Sequence, residues 1–329
     1  MLPRTFSPWL LVATLSPTIQ SLLIESSQDF PLGSEVENLS LRPSGSVIAT
    51  VYTFPHIYEV APPFPDATPK LLHTFPNTTG ACGITASPST PDVFFVVTGN
   101  FSFQTFRPTP GSYAIHRLSF SKCGRPIVKR IASLDAIAQP NGIVSVPNTP
   151  YVLIADSLGG FVYRFDTETL ELTTYFDHPL LKPTLDDIRF GVNGVKLSRG
   201  WLYFSSTNQQ LVGRVKATGA EAVLVNVSPE IVATSTPVDD FVVDDLSGDV
   251  YVVESDPING IGFVSKDAYG SVPVTIAGGP NTTVLLGPTA AVWAKGAVGK
   301  TLLVSATGGF QQFFTGNYTG GGKVAVVHL

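Results

Sequence analysis

Six segments of the sequence share one pattern, and this repeat restricts the fold more than any other feature of the chain. Each segment starts with a polar or small residue, continues with alternating apolar positions and a turn, and leads into a second run rich in β-branched and aromatic residues. The segments start at Glu37, Cys82, Asn141, Asn193, Asp239 and Thr289. Their starts are 45 to 59 residues apart, which is enough chain for four short strands in each unit.

The second run of each segment has the composition of a buried β-strand. These runs cover residues 47–51, 94–98, 152–156, 202–206, 250–254 and 302–306. No segment shows an apolar period of 3.6 residues over the length of an ordinary helix. Because a closed ring of such units protects most strand edges, the sequence predicts an all-β fold, a six-bladed β-propeller with four-stranded blades.

The two ends of the chain indicate how the ring closes. The last unit contains three predicted strands, and the chain then stops one strand short. Leu22, Leu23 and Ile24 form an apolar run ahead of the first unit. We therefore predict that an N-terminal strand completes the last blade, so that residues 22–329 form a single propeller domain.

Residues 1–21 have the features of a signal peptide. Arg4 precedes an apolar run at residues 9–13, which is too short to span a bilayer as a helix. We therefore expect a secreted or secretory-pathway glycoprotein, and no later stretch is apolar enough to make a membrane the partner. Candidate glycosylation sequons lie at Asn38, Asn77, Asn100, Asn226, Asn281 and Asn317.

The low charge of the chain narrows the choice of partner. Only 14% of the residues are charged, the net charge is −5, and the sequence has no Lys/Arg cluster to neutralise a phosphate backbone. This excludes nucleic acid as a partner. We expect a monomer that acts on a small molecule.

The two cysteines give a test of the strand register. Secretion favours a bond between Cys82 and Cys123. In the predicted blade, however, Cys82 opens an innermost strand and Cys123 follows the third strand, near the opposite face. A strand of five residues spans about 17 Å, whereas bonded cysteines have Cα atoms within about 7 Å. We predict two free thiols, with the bond as the alternative.

The repeat starts also resemble those of a known superfamily. Together with Pro-Asn-Gly at 140–142, Ala-Asp-Ser at 155–157 and Tyr-Arg-Phe-Asp at 163–166, they are similar to the senescence-marker-protein, gluconolactonase and luciferin-regenerating-enzyme superfamily, over about residues 37–326. That resemblance implies a divalent metal, Ca²⁺ or Mg²⁺, at the mouth of the central channel. The implied ligands are Glu37, Asn141, Asn193 and Asp239.

These four positions have more than one interpretation. In lactonase members of the superfamily the residue matching Asp239 is also the general acid or base, a role that suits a metal-coupled carboxylate. Asp240 competes for this role, because a slip of one residue exchanges the side chain that faces the channel. Asn-Gly and Asp-Asp are also ordinary turn residues, and the same ligand set could bind an organic substrate without metal.

Other positions indicate the kind of substrate. The lactonase pattern has an arginine shortly before the first ligand asparagine, whereas this chain has Gln139 and Pro140 before Asn141. This argues against a polar sugar acid. Aromatic loops beside the channel favour a large, partly apolar ligand, with loop packing as the alternative explanation of each phenylalanine. The candidate substrate-binding residues are Glu37, Asp156, Glu254, Phe101, Phe103 and Phe310.

Within the superfamily, the chain resembles secreted fungal hetero-Diels-Alderases of tropolone-sesquiterpenoid biosynthesis. The resemblance implies cycloaddition of a tropolone-derived quinone methide to a humulene-type olefin, without a redox cofactor. The catalytic residues would be Asp239, Asn141 and Asn193, acting by orientation and polarisation. The alternatives are a metal-dependent lactonase, with Asp239 transferring protons, and a propeller that binds a ligand without catalysis.

Overall fold

The fold is a ring of six four-stranded antiparallel sheets, seen in a computed structural model that describes residues 24–61, 68–185, 190–295 and 300–329. The predicted six-bladed propeller is therefore confirmed. The proposed signal peptide, residues 1–21, lies outside the described residues. No helix in the described ranges is long and apolar enough to cross a membrane.

The strands are numbered in chain order from β1, Ile24–Leu32. Blade 1 contains β2 Val36–Leu41, β3 Val47–Val51, β4 His56–Val60 and β5 Lys70–Thr74. Blade 2 contains β6 Gly80–Ala86, β7 Phe94–Gly99, β10 Ala114–Phe120 and β11 Pro126–Ser133, with a small hairpin of β8 Phe101–Ser102 and β9 Arg107–Pro108 in one connection. Blade 3 contains β12 Pro140–Ser145, β13 Tyr151–Asp156, β14 Phe161–Asp166 and β15 Leu172–Asp177.

The second half of the ring repeats this arrangement. Blade 4 contains β16 Val192–Ser198, β17 Trp201–Ser206, β18 Leu211–Thr218 and β19 Val223–Thr234. Blade 5 contains β20 Val238–Val243, β21 Val250–Glu254, β22 Gly260–Val264 and β23 Val274–Gly278. Blade 6 contains β24 Pro288–Trp293, β25 Thr301–Ala306 and β26 Gly321–His328, and β1 is its fourth strand. A short helix, α1 Gln311–Thr315, lies in the connection between β25 and β26.

The N-terminal strand closes the ring, as the sequence predicted. β1 pairs antiparallel with β26, from Ile24 opposite Val327 to Leu32 opposite Gly321. The strand is longer than the predicted apolar run, of which Leu22 and Leu23 lie outside the described residues. Its inward side chain Phe30 is buried and packs edge-on against Tyr58 of blade 1. The first and last blades are therefore joined by apolar packing as well as by a strand ladder.

Apolar packing between adjacent blades holds the ring together. Each second strand is almost entirely buried, because both of its faces are covered by neighbouring blades. Phe176 of blade 3, for example, packs on Phe204 of blade 4 with 6.0 Å between the ring centroids. The innermost strands β2, β6, β12, β16, β20 and β24 contact one another in sequence and surround the central channel.

A register shift at the start of every innermost strand positions the candidate site. Pairing with the second strand is interrupted within the first two residues of the innermost strand in all six blades, for example between Pro140 and Ile143. Such irregularities redirect side chains at the end of a sheet. The glycines in this step allow close approach: a Cβ on Gly142 would overlap the backbone of Asn193 in the next blade. Packing between blades thus requires glycine at this position.

Candidate functional site

The residues within the six register shifts form a ring at one end of the channel, which we call the channel ring. Its members are Glu37, Cys82, Asn141, Asn193, Asp239 and Thr289. The structure therefore brings together all four residues that the resemblance implied as metal ligands. Neighbouring blades are also joined here, because the Thr289 hydroxyl donates a hydrogen bond to the Val36 carbonyl over 2.6 Å.

The four predicted ligands form two hydrogen-bonded pairs. The Asn193 amide donates to the Asp239 carboxylate over 2.7 Å. The Asn141 side chain likewise forms a hydrogen bond with the carboxyl group of Glu37, which favours the ionised form of that group. Each amide thus supplies one polar partner to a carboxyl group on a different blade.

The acidic groups of the channel raise one another's pKa values. Burial, and then the negative charge of Asp240, raise the pKa of Glu37 to about 7. Burial followed by the charge of Glu37 raises the pKa of Asp239 well above its ordinary value. Glu35, which the sequence analysis did not single out, has its pKa raised by burial and by the charges of Glu37 and Asp239. The channel therefore favours protonated carboxyl groups or a compensating cation.

The structure separates the roles of the two adjacent aspartates. Asp239 lines a cavity at the channel mouth. Asp240 is buried, and its carboxylate forms an ion pair with Lys196 over 2.6 Å. Asp239 is therefore the carboxyl group available to a ligand, whereas Asp240 acts on the channel through its charge.

The cavity beside Asp239 has a volume of about 210 Å³ and lies at blades 4 to 6. Most of its lining comes from loops at the channel mouth, and it combines hydroxyl, amide and carboxyl groups with apolar surface. The lining includes Thr207, Gln210, Asp239, Ser255, Thr307 and Phe310. A polar ring-sized group could therefore contact Asp239 and an aromatic side chain at once.

Phenylalanines from three connections meet beside this cavity and form what we call the aromatic cluster. Its members are Phe101, Phe103, Phe106, Phe190, Phe310, Phe313 and Phe314. Phe106, in the connection between β7 and β10, contacts Phe310 and Phe314 at centroid distances of 6.2 and 5.5 Å. Of the three predicted substrate-binding phenylalanines, Phe310 lines the cavity, whereas Phe101 and Phe103 pack within the cluster.

Two of the predicted substrate-binding residues have structural positions instead. Asp156 is 1% exposed, and its carboxylate accepts backbone N–H groups of Ala138, Gln139 and Gly159 over 2.9 to 3.0 Å. Glu254 is also 1% exposed, and its two oxygens accept hydroxyl groups from Thr236 and Thr275. Neither residue lines the cavity. Their carboxylate oxygens are instead used in hydrogen bonds that fix the chain at the ends of their blades.

The channel ring has suitable donors for a hard cation. Two carboxylates and two amides offer the oxygen ligands that Ca²⁺ and Mg²⁺ prefer, and a cation would relieve the repulsion that raises the pKa values of Glu37 and Asp239. Within the described ranges, no group of three or more His, Cys, Asp or Glu residues is arranged for metal binding. The predicted set contains only two such residues, so metal binding stays a prediction.

The covalent features predicted from the sequence can be located. Cys82 is buried and Cys123 is exposed, and both are free, as predicted.

Of the six sequon asparagines, Asn38 is buried and its amide oxygen accepts the N–H of Leu39, so the folded protein does not present it for glycosylation. The exposed ones are Asn77, Asn226, Asn281 and Asn317, and Asn100 is half-buried.

Sequence comparison finds a relative with a named activity. A protein of Phoma sp named "Putative hetero-Diels-Alderase" is 24% identical over 299 residues, which is 83% of this chain and 83% of that protein. No family profile matches the sequence.

Comparison of the fold finds propellers of the superfamily that the sequence resembles. A luciferin-regenerating enzyme has a TM-score of 0.61 and 11% identity, covering 92% of this chain and 95% of its own. The calcium-binding protein regucalcin of Agrobacterium tumefaciens has a TM-score of 0.60 and 13% identity, covering 91% and 92%. A gluconolactonase of Xanthomonas campestris has a TM-score of 0.53 and 14% identity, covering 90% and 87%. The chain therefore has the propeller fold of these proteins, as its repeats implied, and its sequence is similar to that of a protein named for hetero-Diels–Alder chemistry.

Proposed function

We propose that this protein catalyses a hetero-Diels–Alder cycloaddition between a tropolone-derived quinone methide and a humulene-type sesquiterpene. The observation that carries the proposal is the position of Phe310, which lines the same cavity as Asp239 and also belongs to the aromatic cluster. Polar groups for an oxygenated ring thus adjoin apolar surface for a hydrocarbon. The name of the Phoma relative supports the same reaction.

The reaction suits a site of this kind. One C–O and one C–C bond form, three π bonds become one, and no proton, electron or leaving group is transferred. The protein can accelerate such a step by holding both reactants in a reactive geometry and by hydrogen bonds that withdraw charge from the heterodiene. Asn141, Asn193 and Asp239 would bind the tropolone oxygens, and Phe310 would contact the olefin.

The size of the cavity indicates how two reactants would fit. Its volume of about 210 Å³ is below the roughly 300–1,000 Å³ of typical ligand sites. The tropolone unit would occupy the cavity, and the terpene would take space by displacing side chains of the aromatic cluster. That displacement exchanges one set of apolar contacts for another, which keeps its free-energy cost small.

The experiment measures cycloadduct formation from a hydroxymethyl-tropolone precursor and a humulene-type olefin. We expect accelerated, stereoselective product formation that persists in chelator. Phe310→Ala should raise KM for the olefin, and Asp239→Asn should reduce turnover by less than the roughly 10²–10⁴-fold typical of a lost general acid or base. Asp135→Asn, at an exposed aspartate, is the matched control and should behave as wild type.

A lactone panel tests the second candidate function. The channel ring retains two carboxylates and two amides that suit a divalent cation, and this observation favours a metal-dependent lactonase. In that enzyme Asp239 would bind the metal and transfer the proton, so Asp239→Asn and chelator would each abolish hydrolysis. Lactone hydrolysis without any effect on cycloaddition would replace our proposal with this one. Turnover of neither substrate class would indicate a binding protein.

A further inference from the structure

Thr207 lies between the polar cavity and the aromatic cluster. It directly follows β17, is half-buried, and lines the cavity beside Asp239. The next residue, Asn208, donates its backbone N–H to the Phe190 carbonyl over 2.8 Å, and its side-chain oxygen accepts the Phe190 N–H over 3.0 Å. Because Phe190 belongs to the aromatic cluster, the turn that carries Thr207 is tied to that cluster by two hydrogen bonds.

The amide of Asn193 orients the Thr207 hydroxyl. Its nitrogen donates to the Asp239 carboxylate over 2.7 Å and to the Thr207 hydroxyl oxygen over 3.1 Å. A side-chain amide has two hydrogens on its nitrogen, so both are used within the protein. Asn193 therefore has no hydrogen left for a ligand and can only accept a hydrogen bond from one.

The hydrogen of the Thr207 hydroxyl is available to a ligand. The oxygen of this group accepts the bond from Asn193, so its own hydrogen is directed elsewhere. Within the part of the chain that the structure describes, that hydrogen has no acceptor. The other hydroxyl groups that line the cavity donate to backbone carbonyls instead. They belong to Ser255, Thr289 and Thr307.

The proposed reaction needs a donor at this position. A hydrogen bond to the heterodiene oxygen withdraws charge and favours the cycloaddition transition state. Asn193 cannot supply this bond, and Asn141 does not line the cavity. The Gln210 amide does line it, but Gln210 is exposed, and replacing its bond to water would contribute little. Thr207 is the half-buried donor that remains beside Asp239.

We propose that the Thr207 hydroxyl donates a hydrogen bond to the carbonyl oxygen of the bound tropolone-type ring. This inference rests on the proposed function and adds to it the group that polarises the heterodiene. The Asn193 amide holds the donor in direction before the ligand arrives, so little further ordering is needed on binding. The ring carbonyl then lies beside Asp239, and the rest of the ligand faces the aromatic cluster.

The test compares two substitutions at Thr207 with two ring ligands, by NMR titration in chelator. Tropone has a seven-membered ring with a carbonyl, and cycloheptatriene has a similar ring without oxygen. Thr207→Val removes the hydroxyl and nearly keeps the shape of the side chain. It should lower affinity for tropone about threefold to tenfold and leave affinity for cycloheptatriene unchanged. Thr207→Ser keeps the hydroxyl and should bind tropone as the wild type does.

Two features of the design separate direct donation from a structural role. Tropone has no hydrogen to donate, so a loss of tropone affinity cannot come from the acceptor oxygen of Asn193. Thr167→Val is the matched control, because the Thr167 hydroxyl donates to the Pro150 carbonyl over 2.8 Å, at the opposite end of blade 3 from the channel ring. It should lower the midpoint of thermal unfolding and leave tropone affinity unchanged.

Tropone binding and cycloaddition are measured separately, so that the two proposals can fail separately. Unchanged tropone affinity in Thr207→Val would overturn the inference, and so would an equal loss of affinity for cycloheptatriene or an equal loss in Thr207→Ser. Absence of tropone binding to the wild type would overturn it as well. Tropone binding that depends on the hydroxyl, without cycloaddition, would refute the proposed function and support Thr207 as the donor.

Discussion

The acidic channel predicts that this protein loses stability as the pH rises, and Glu37→Gln tests the prediction. In the folded protein the pKa of Glu37 is raised from 4.5 to about 7, so between these pH values the folded state binds more protons than the unfolded state. The free energy of unfolding therefore falls as pH rises through this window. The stabilising contribution of Glu37 is fully present only below about pH 4.5. Each unit by which the folded-state and unfolded-state pKa values differ corresponds to about 1.4 kcal/mol. Glu37 alone therefore changes the free energy of unfolding by about 3 kcal/mol across this window.

The assay is urea unfolding of wild type and Glu37→Gln in chelator between pH 4.5 and 8. Glutamine keeps an oxygen for the bond to Asn141 and carries no charge, so the variant should become the more stable protein as pH rises, by about 3 kcal/mol at pH 8. Glu168→Gln, at an exposed turn, is the control and should parallel the wild type. Parallel curves for wild type and Glu37→Gln would show that the channel carboxyls are not buried together.

Two further predictions concern the closure of the ring and the thiols. Deleting the chain through Ser26 removes the first pairs of β1 with β26, and deleting it through Leu32 removes the whole ladder together with buried Phe30. The midpoint of thermal unfolding should fall with the first deletion and fall further with the second. Equal midpoints would contradict closure of the ring by β1. Iodoacetamide followed by peptide mapping should label exposed Cys123 in the native protein and buried Cys82 only after unfolding, whereas a peptide joining the two would contradict the blade register.

The sequence determined the blades and the channel ring because both depend on a repeated pattern. Alternating apolar positions and turns recur six times, so the second strands and the ring positions at Glu37, Asn141, Asn193 and Asp239 could be located without any contact information. The choice between Asp239 and Asp240 could not be made in this way. It depends on the register shift in β20, which turns Asp239 to the cavity and leaves Asp240 to pair with Lys196.

The side chains that sequence reasoning misplaced or missed are those whose roles depend on contacts between residues distant in the sequence. Asp156 and Glu254 end second strands, and their position suggested a role at the channel mouth. Buried connections need hydrogen-bond acceptors, however, and both carboxylates serve that need. Glu35 was missed because no periodic signal marks it; its burial and the charges of Glu37 and Asp239, which raise its pKa, follow only from three-dimensional packing.

The aromatic cluster bears on the choice between the two candidate reactions. Phe101 and Phe106 are mostly buried by other phenylalanines, so any ligand that reaches the channel through the cluster must replace aromatic contacts. A hydrocarbon does so with equivalent dispersion contacts and keeps water away from the phenyl rings. A sugar lactone would bring hydroxyl groups against the same rings and lose their hydrogen bonds to water without replacement. The phenylalanines beside the cavity therefore support the proposed cycloaddition, even though the channel ring has donors suited to a metal.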